Sequence, residues 1–264
     1  MNARFVTLRH RISVALLAMS SSLVLGSIVQ GEEPQATNPA GHDAATGIVV
    51  QGTIRLDGMS PAPRENVLDE LMARNMNQKT YRDETFLVGA QGGLQNCVVT
   101  LVSQDPDAKV PQPLEKTFLD RVGVRYVPRV LVVTPGTEVV LRNERSPCRG
   151  FDIRPLRQLE NKVSSMIFEG QQQSIRMRGP DECSVTCMVR PYAQGYILVV
   201  NTPYYAVTDA DGKFRIPHVT PGRYRLKVWH ESARSKTVTN APTEITVGDK
   251  PTVTLDVSVK VSEP

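Results

Sequence analysis

The chain has 264 residues, with 19 Pro, 18 Gly and 5% aromatic residues, and carries 31 basic against 27 acidic side chains. Such a length buries a sizeable core, and a Val- and Thr-rich, turn-rich composition without long amphipathic periodicity points to one or two all-β domains. Arg4, Arg9 and Arg11 are the only charged residues up to position 31, so the remainder holds 28 basic and 27 acidic residues, a net charge near +1 that offers nucleic acid no basic patch.

Ile12 to Val29 is an uncharged, apolar, Ser-rich run behind those arginines, and Val29-Gln30-Gly31 has the form of a small-residue cleavage site. Residues 1–31 therefore read as the signal peptide of an exported protein, with an uncleaved membrane anchor as the alternative. No Cys lies near for a lipid anchor. After processing no stable membrane span is expected, and the destination is periplasm, cell envelope or medium. Residues 32–46, rich in Pro, Ala, Gly and Asn, read as a disordered linker in which His42 is solvated.

Ile48 to Leu56 alternates as a strand and Asp57-Gly58 turns it. Pro61 to Thr85 is polar, a surface excursion with a short helix expected over Val67 to Met76. Gln91 to Val102 is a turn entering a buried strand, and Gln104 to Lys116, with three Pro, is loop. Leu131 to Asn143 reads as strand, Pro135-Gly136 turn, strand. Gln171 to Met177 alternates, with Ile175 and Met177 inward. Gly179 to Val200 runs strand, tight loop, strand, and places Cys183 and Cys187 on one face because they are four apart. Pro203 to Ile216 is a hairpin turning at Asp211-Gly212, and Glu244 to Val261 supplies two more strands.

The loop Cys187-Met-Val-Arg190-Pro-Tyr-Ala193 resembles the ligand loop of cupredoxins, copper-holding β-sandwiches in which it reads Cys-x-x-His with a Met shortly after. Leu119-Asp120-Arg121-Val-Gly-Val-Arg-Tyr126-Val-Pro128-Arg129-Val130 resembles the LDQ-x-G-x-x-Y-x-P-H-V segment of a bacterial group of exported cupredoxin-like proteins. Asn143-Glu-Arg-Ser-Pro-Cys148-Arg149 is similar to that fold's Asn-x-Asp-x-x-x-His, whose His is the first copper ligand. The resemblance implies a Greek-key sandwich over residues 47–202. It also implies ligand positions occupied here by Arg149, Cys187, Arg190 and Ala193. A type 1 centre takes two His, one Cys and a weak axial donor. Residues 47–202 contain no His, so neither metal nor other cofactor is expected. Arg129, Arg149 and Arg190 stand at family His positions. Together they would form an anion pocket; the alternative is solvent-facing arginines paired to neighbours such as Glu144 or Asp152. The family topology brings the loops after Asn143 and Cys187 together, which implies a Cys148–Cys187 disulfide in an oxidising compartment. Cys148–Cys183, or two bridges that include Cys97, remain open; an unpaired Cys97 is a buried strand residue.

Thr208-Asp-Ala-Asp-Gly212-Lys-Phe-Arg-Ile216, followed by Pro221-Gly-Arg-Tyr224-Arg-Leu226, resembles the signature of the carboxypeptidase regulatory-like, or transthyretin-like, β-sandwich, expected over residues 203–264. Trp229-His230-Glu231 recurs in the exported cupredoxin-like group. His230 beside Glu231 suits acid–base work or ligation, or a contact between the two domains, and His218 is expected at the surface. Asp209-x-Asp211-Gly212 is a hairpin turn rather than a calcium loop, since the later acidic ligand is missing. No Ser-His-Asp order, zinc spacing, P-loop or dinucleotide fingerprint occurs. These features describe an exported, non-enzymatic binding or envelope accessory protein whose partner is a glycan or an envelope protein. The glycan step is analogy with carbohydrate-binding modules of similar fold. The alternatives are a copper-binding electron-transfer protein with unconventional ligands, and a purely structural envelope component.

Overall fold

The computed structural model describes residues 47–60, 62–108, 110–188, 192–233, 244–248 and 250–260. The expected signal peptide, the linker and His42 lie outside them. The first half of the chain forms β1 (Ile48–Leu56), β2 (Glu65–Val67), α1 (Glu70–Met76), β3 (Thr80–Arg82), β4 (Val98–Ser103), β5 (Thr117–Val122), β6 (Arg125–Val127), β7 (Val130–Val133) and β8 (Glu138–Arg145). Next come β9 (Gly150–Pro155), β10 (Val163–Met166), β11 (Gln172–Arg176), β12 (Asp181–Thr186) and β13 (Gln194–Val199). The last are β14 (Tyr205–Val207), β15 (Lys213–Val219), β16 (Gly222–Trp229), β17 (Glu244–Val247) and β18 (Thr252–Val259).

Four sheets stack around three apolar cores. Their strand orders are β15-β1-β18, β14-β4-β16-β17, β10-β9-β12-β13-β7 and β11-β8-β5-β6, and β2 and β3 pair separately. The first core packs Val50, Ile54, Ile216 and Val257 against Val99, Leu101 and Leu226. The last packs Leu119, Val139 and Leu141 against Phe151, Ile153, Val185 and Ile197, with the inward Met177 buried and Ile175 half-buried against it. Between them, Val98 and Tyr205 meet Val130, Val132, Tyr196 and Leu198. The two inner sheets are therefore covered on both faces. That is why Val98–Leu101 and Val130–Val133 are apolar or uncharged at every position and buried throughout, rather than alternating.

The expected division at 202/203 does not follow the strands. Parallel pairing sets β1 beside β18, and antiparallel pairing sets it beside β15. In the same way β4 lies between β14 and β16. The C-terminal sandwich is thus completed by residues 48–56 and 98–103, and the sandwich formed by β5 to β13 is inserted between its strands. The backbone hydrogen bonds of β15 and β18 face β1, so a boundary drawn by motif cuts through a sheet. At the expected turn, Gly212 has φ +75° and a Cβ there would lie 2.4 Å from the Ile54 carbonyl oxygen. The Asp209 carboxylate accepts from the Asp211 and Lys213 amides, so it serves the turn. His218 is half-buried with φ +58°, not at the open surface, because it backs onto Gly47 where β1 and β15 slip register.

Candidate functional site

At the end of the inserted sandwich where the resemblance places copper, Asn143 organises the loop after β8. Its Nδ2 donates to the Ser146, Cys148 and Ile167 carbonyls, and its Oδ1 accepts from the Ser146 amide. Cys148 is thereby delivered to Cys187 on the loop after β12, and the two form a disulfide with Cα atoms 6.7 Å apart. Cys183, the competing partner, is free and buried in β12; burial, with Asp181 beside it, pushes its thiol up to about 12. Cys97 is also free and buried, entering β4 with its amide on Thr208 Oγ1.

The residues at the ligand positions do not fit a type 1 copper ion. The Cys187 sulfur is bonded to carbon and to Cys148, so no thiolate is on offer. Arg149 is exposed, with its guanidinium 4.9 Å over the Phe168 ring. Ala193 is buried and apolar, and Arg190 lies outside the described residues. A further guanidinium is buried in this sandwich: Arg121 is 1% exposed, lies against the Tyr126 and Phe151 rings and donates to the Gly150 carbonyl at 2.7 Å. Burial lowers its pKa, and its Nε has no partner.

The polar excursion packs against Tyr192, ahead of β13. Its helix is α1, starting three residues later than expected because Asp69 caps it, accepting from the Met72 amide. Asp69 also accepts from the Tyr192 hydroxyl at 2.6 Å, and Leu68, Met72 and Met76 pack with Tyr192 and Val124.

Of the arginines expected to form an anion pocket, Arg129 is committed to carboxylates instead. The Arg129 side chain is 10% exposed where the two sandwiches meet: its Nε donates to Glu231 Oε1 at 2.7 Å and its Nη2 to Oε2 at 2.8 Å, with Glu84 at 3.6 Å. Burial works against the guanidinium charge, but Glu231 and Glu84 outweigh it and raise the pKa. Neither suggested carboxylate is its partner, since Asp152 pairs with Arg154 and Glu144 with Arg142. His230 is 1% exposed beside this pair, its ring centroid 5.6 Å from that of Phe86. Burial, then the Arg129 charge, lower its pKa to about 4; the Gln95 backbone offsets a part, while Nε2 has no hydrogen-bond partner of normal geometry. Glu231 thus joins the two sandwiches through Arg129, and His230 lies beside that ion pair.

Two concavities lie elsewhere on the described residues. The larger, about 640 Å³, is an open trough along β15, β1 and β18, with Gln51, Arg215 and Asp256 on it. The aromatic residues that reach it, Tyr205 and Phe214, are buried. The smaller, about 250 Å³, is a crevice between the two inner sheets, with both sandwiches contributing walls. It holds the chain's single Trp. Trp229 stands edge-on to Tyr196 at 5.2 Å and its Nε1 donates to Glu182 Oε2 at 3.1 Å. Pockets that join two structural units and combine apolar walls with a few polar groups are the usual binding sites. Sequence reading singled out Trp229 only as part of a motif and missed Arg157, Glu182 and Lys227, which come from three separate stretches.

Among curated proteins none matches this chain. Residues 190–260 match the carboxypeptidase regulatory-like domain. Among solved structures, a Cu-containing nitrite reductase (NirK) from Thermus scotoductus SA-01 is 24% identical over 38% of this chain, TM-score 0.30, and the match spans a quarter (25%) of that enzyme. Amicyanin from Paracoccus versutus is 15% identical over 39% of this chain and 97% of its own, TM-score 0.27. A pseudoazurin from Sinorhizobium meliltoi is 15% identical over 33% of this chain and 75% of its own, TM-score 0.25. The chain is thus an all-β protein with a carboxypeptidase regulatory-like segment at residues 190–260 and with cupredoxins among its structural neighbours.

Proposed function

We propose that this is an exported, non-enzymatic binding protein of the cell envelope, in which a cupredoxin-like sandwich has exchanged its metal for a covalent staple and serves as one wall of a glycan site. The observation that carries the reading is the Cys148–Cys187 bond, which consumes the one Cys that stands at a copper-ligand position. An oxidising, extracytoplasmic compartment favours that bond. Glycan binding draws support from the carboxypeptidase regulatory-like match and from the Trp-bearing crevice. Metal analysis with a visible spectrum of the purified protein, followed by a broad glycan array, tests the two halves separately. The expected result is no stoichiometric copper, no intense thiolate band, and retention on a defined glycan class. A blue, copper-loaded protein would restore the electron-transfer alternative.

A further inference from the structure

The crevice between the inner sheets has a composition that narrows its ligand, given the glycan reading above. Its inner wall is apolar, with Val98 and Leu198 buried beside the Trp229 indole. On its rim stand two exposed cations, Arg157 from the loop after β9 and Lys227 from β16, on opposite sandwiches. Among the described residues neither has an ion-pair partner. Arg157 does not sit on loose chain. The buried Asp181 carboxylate accepts from the backbone amides of Leu156, Arg157, Gln158 and Glu182 at 2.8–3.1 Å, and from Asn161 Nδ2 at 3.3 Å. That clamp fixes the Arg157 backbone and, at the next residue, the base of Glu182, whose Oε2 is held by Trp229. Groups so fixed lose little freedom on binding.

We propose that this crevice binds an acidic sugar, a pyranose carrying a carboxylate. The apolar face of the ring lies on the indole, a broad hydrophobic surface. The carboxylate enters between the Arg157 guanidinium and the Lys227 ammonium, where charge-assisted hydrogen bonds are strongest. Ring hydroxyls donate to the Glu182 carboxylate. A neutral sugar leaves both cations unanswered, and a bare inorganic anion leaves the indole unused. The crevice volume of about 250 Å³ suits one ring rather than a buried chain, so a polymer engages through one residue or its end.

The single Trp makes emission a direct reporter of this crevice. The mature protein is titrated with digalacturonic acid, with its neutral counterpart digalactose, and with sulfate. A saturable Trp229 response to the acid, at least about tenfold weaker for the neutral disaccharide, is expected. In the double variant R157A/K227A, whose side chains are exposed and whose thermal midpoint should not move, the acid response should weaken by at least tenfold. Equal responses to acid and neutral sugar, an unchanged double variant, or an equal response to sulfate alone would each overturn the assignment. Retention of a glycan on the array that survives R157A/K227A would overturn this site while leaving the glycan reading intact; an array with no binder removes both.

Discussion

His230 is buried beside the Arg129 guanidinium, and that position fixes how the protein answers acid. Its folded-state pKa, about 4, lies below the ordinary 6.5, so between those values the unfolded chain binds more protons than the folded one. Stability is therefore complete above about pH 6.5 and erodes as pH falls toward 4, by roughly 3 kcal/mol at most. The Arg129 guanidinium beside it is in turn faced by Glu231, Glu84 and Asp83. Asp83 acts in the same direction at lower pH: burial raises it, but the Thr85 bonds and Arg129 prevail and lower its pKa. Glu231, raised by burial against the pull of Arg129, acts in the opposite sense. Urea unfolding at pH 7.5 and pH 5 should show the loss in the parent chain and a smaller one in His230→Phe. Equal pH slopes would refute the assignment. Arg129→Ala should cost 3 kcal/mol or more, since it strands Glu231, 6% exposed, without its counter-charge.

At the scale of elements, two devices close the end of the inserted sandwich. The disulfide ties the loops after β8 and β12 across a separation of 39 residues. Cys148→Ser should therefore lower stability by about 2–4 kcal/mol in chemical unfolding. An unchanged midpoint would mean that Asn143 and the packing around it already hold the loops. The second device is the α1 excursion, clasped by Asp69 on Tyr192. Asp69→Ala removes both the helix cap and the clasp and should cost about 1–2 kcal/mol. Its local character is checked by limited proteolysis: cleavage within 61–85 should accelerate well before the sheets open. Tyr192→Phe should reproduce part of the effect without touching the cap.

On the whole-molecule scale the four sheets depend on one another. A fragment spanning 203–264 lacks β1 and β4, which are the central or inner strands of both C-terminal sheets. It also exposes Tyr205, Val207 and Trp229, which pack on β7 and β13 in the intact chain. Such a fragment should show no dispersed amide spectrum and no cooperative melt. If it folds alone, the sandwich is self-sufficient and the strand exchange is incidental. The intact chain should instead unfold in one transition, because no sandwich can separate without baring the middle core.

Local pattern carried much of this fold. Alternation and turn chemistry marked β1, the Asp211-Gly212 hairpin, β12 and β13, since strand period and positive φ are written in neighbouring residues. The Cys148–Cys187 bond followed from a resemblance that brings two loops together. Other decisions belong to tertiary contact. Nothing near Ile48 reveals that it lies against β15 and β18, because a strand's partners are selected by matching faces that are far apart in sequence. Arg129 stood at a ligand-type position, yet Glu231, 102 residues away, decided that it is a buried ion pair. The crevice is of the same kind: Arg157, Glu182, Lys227 and Trp229 have no shared local pattern, and only the stacking of the two inner sheets gives them a common space.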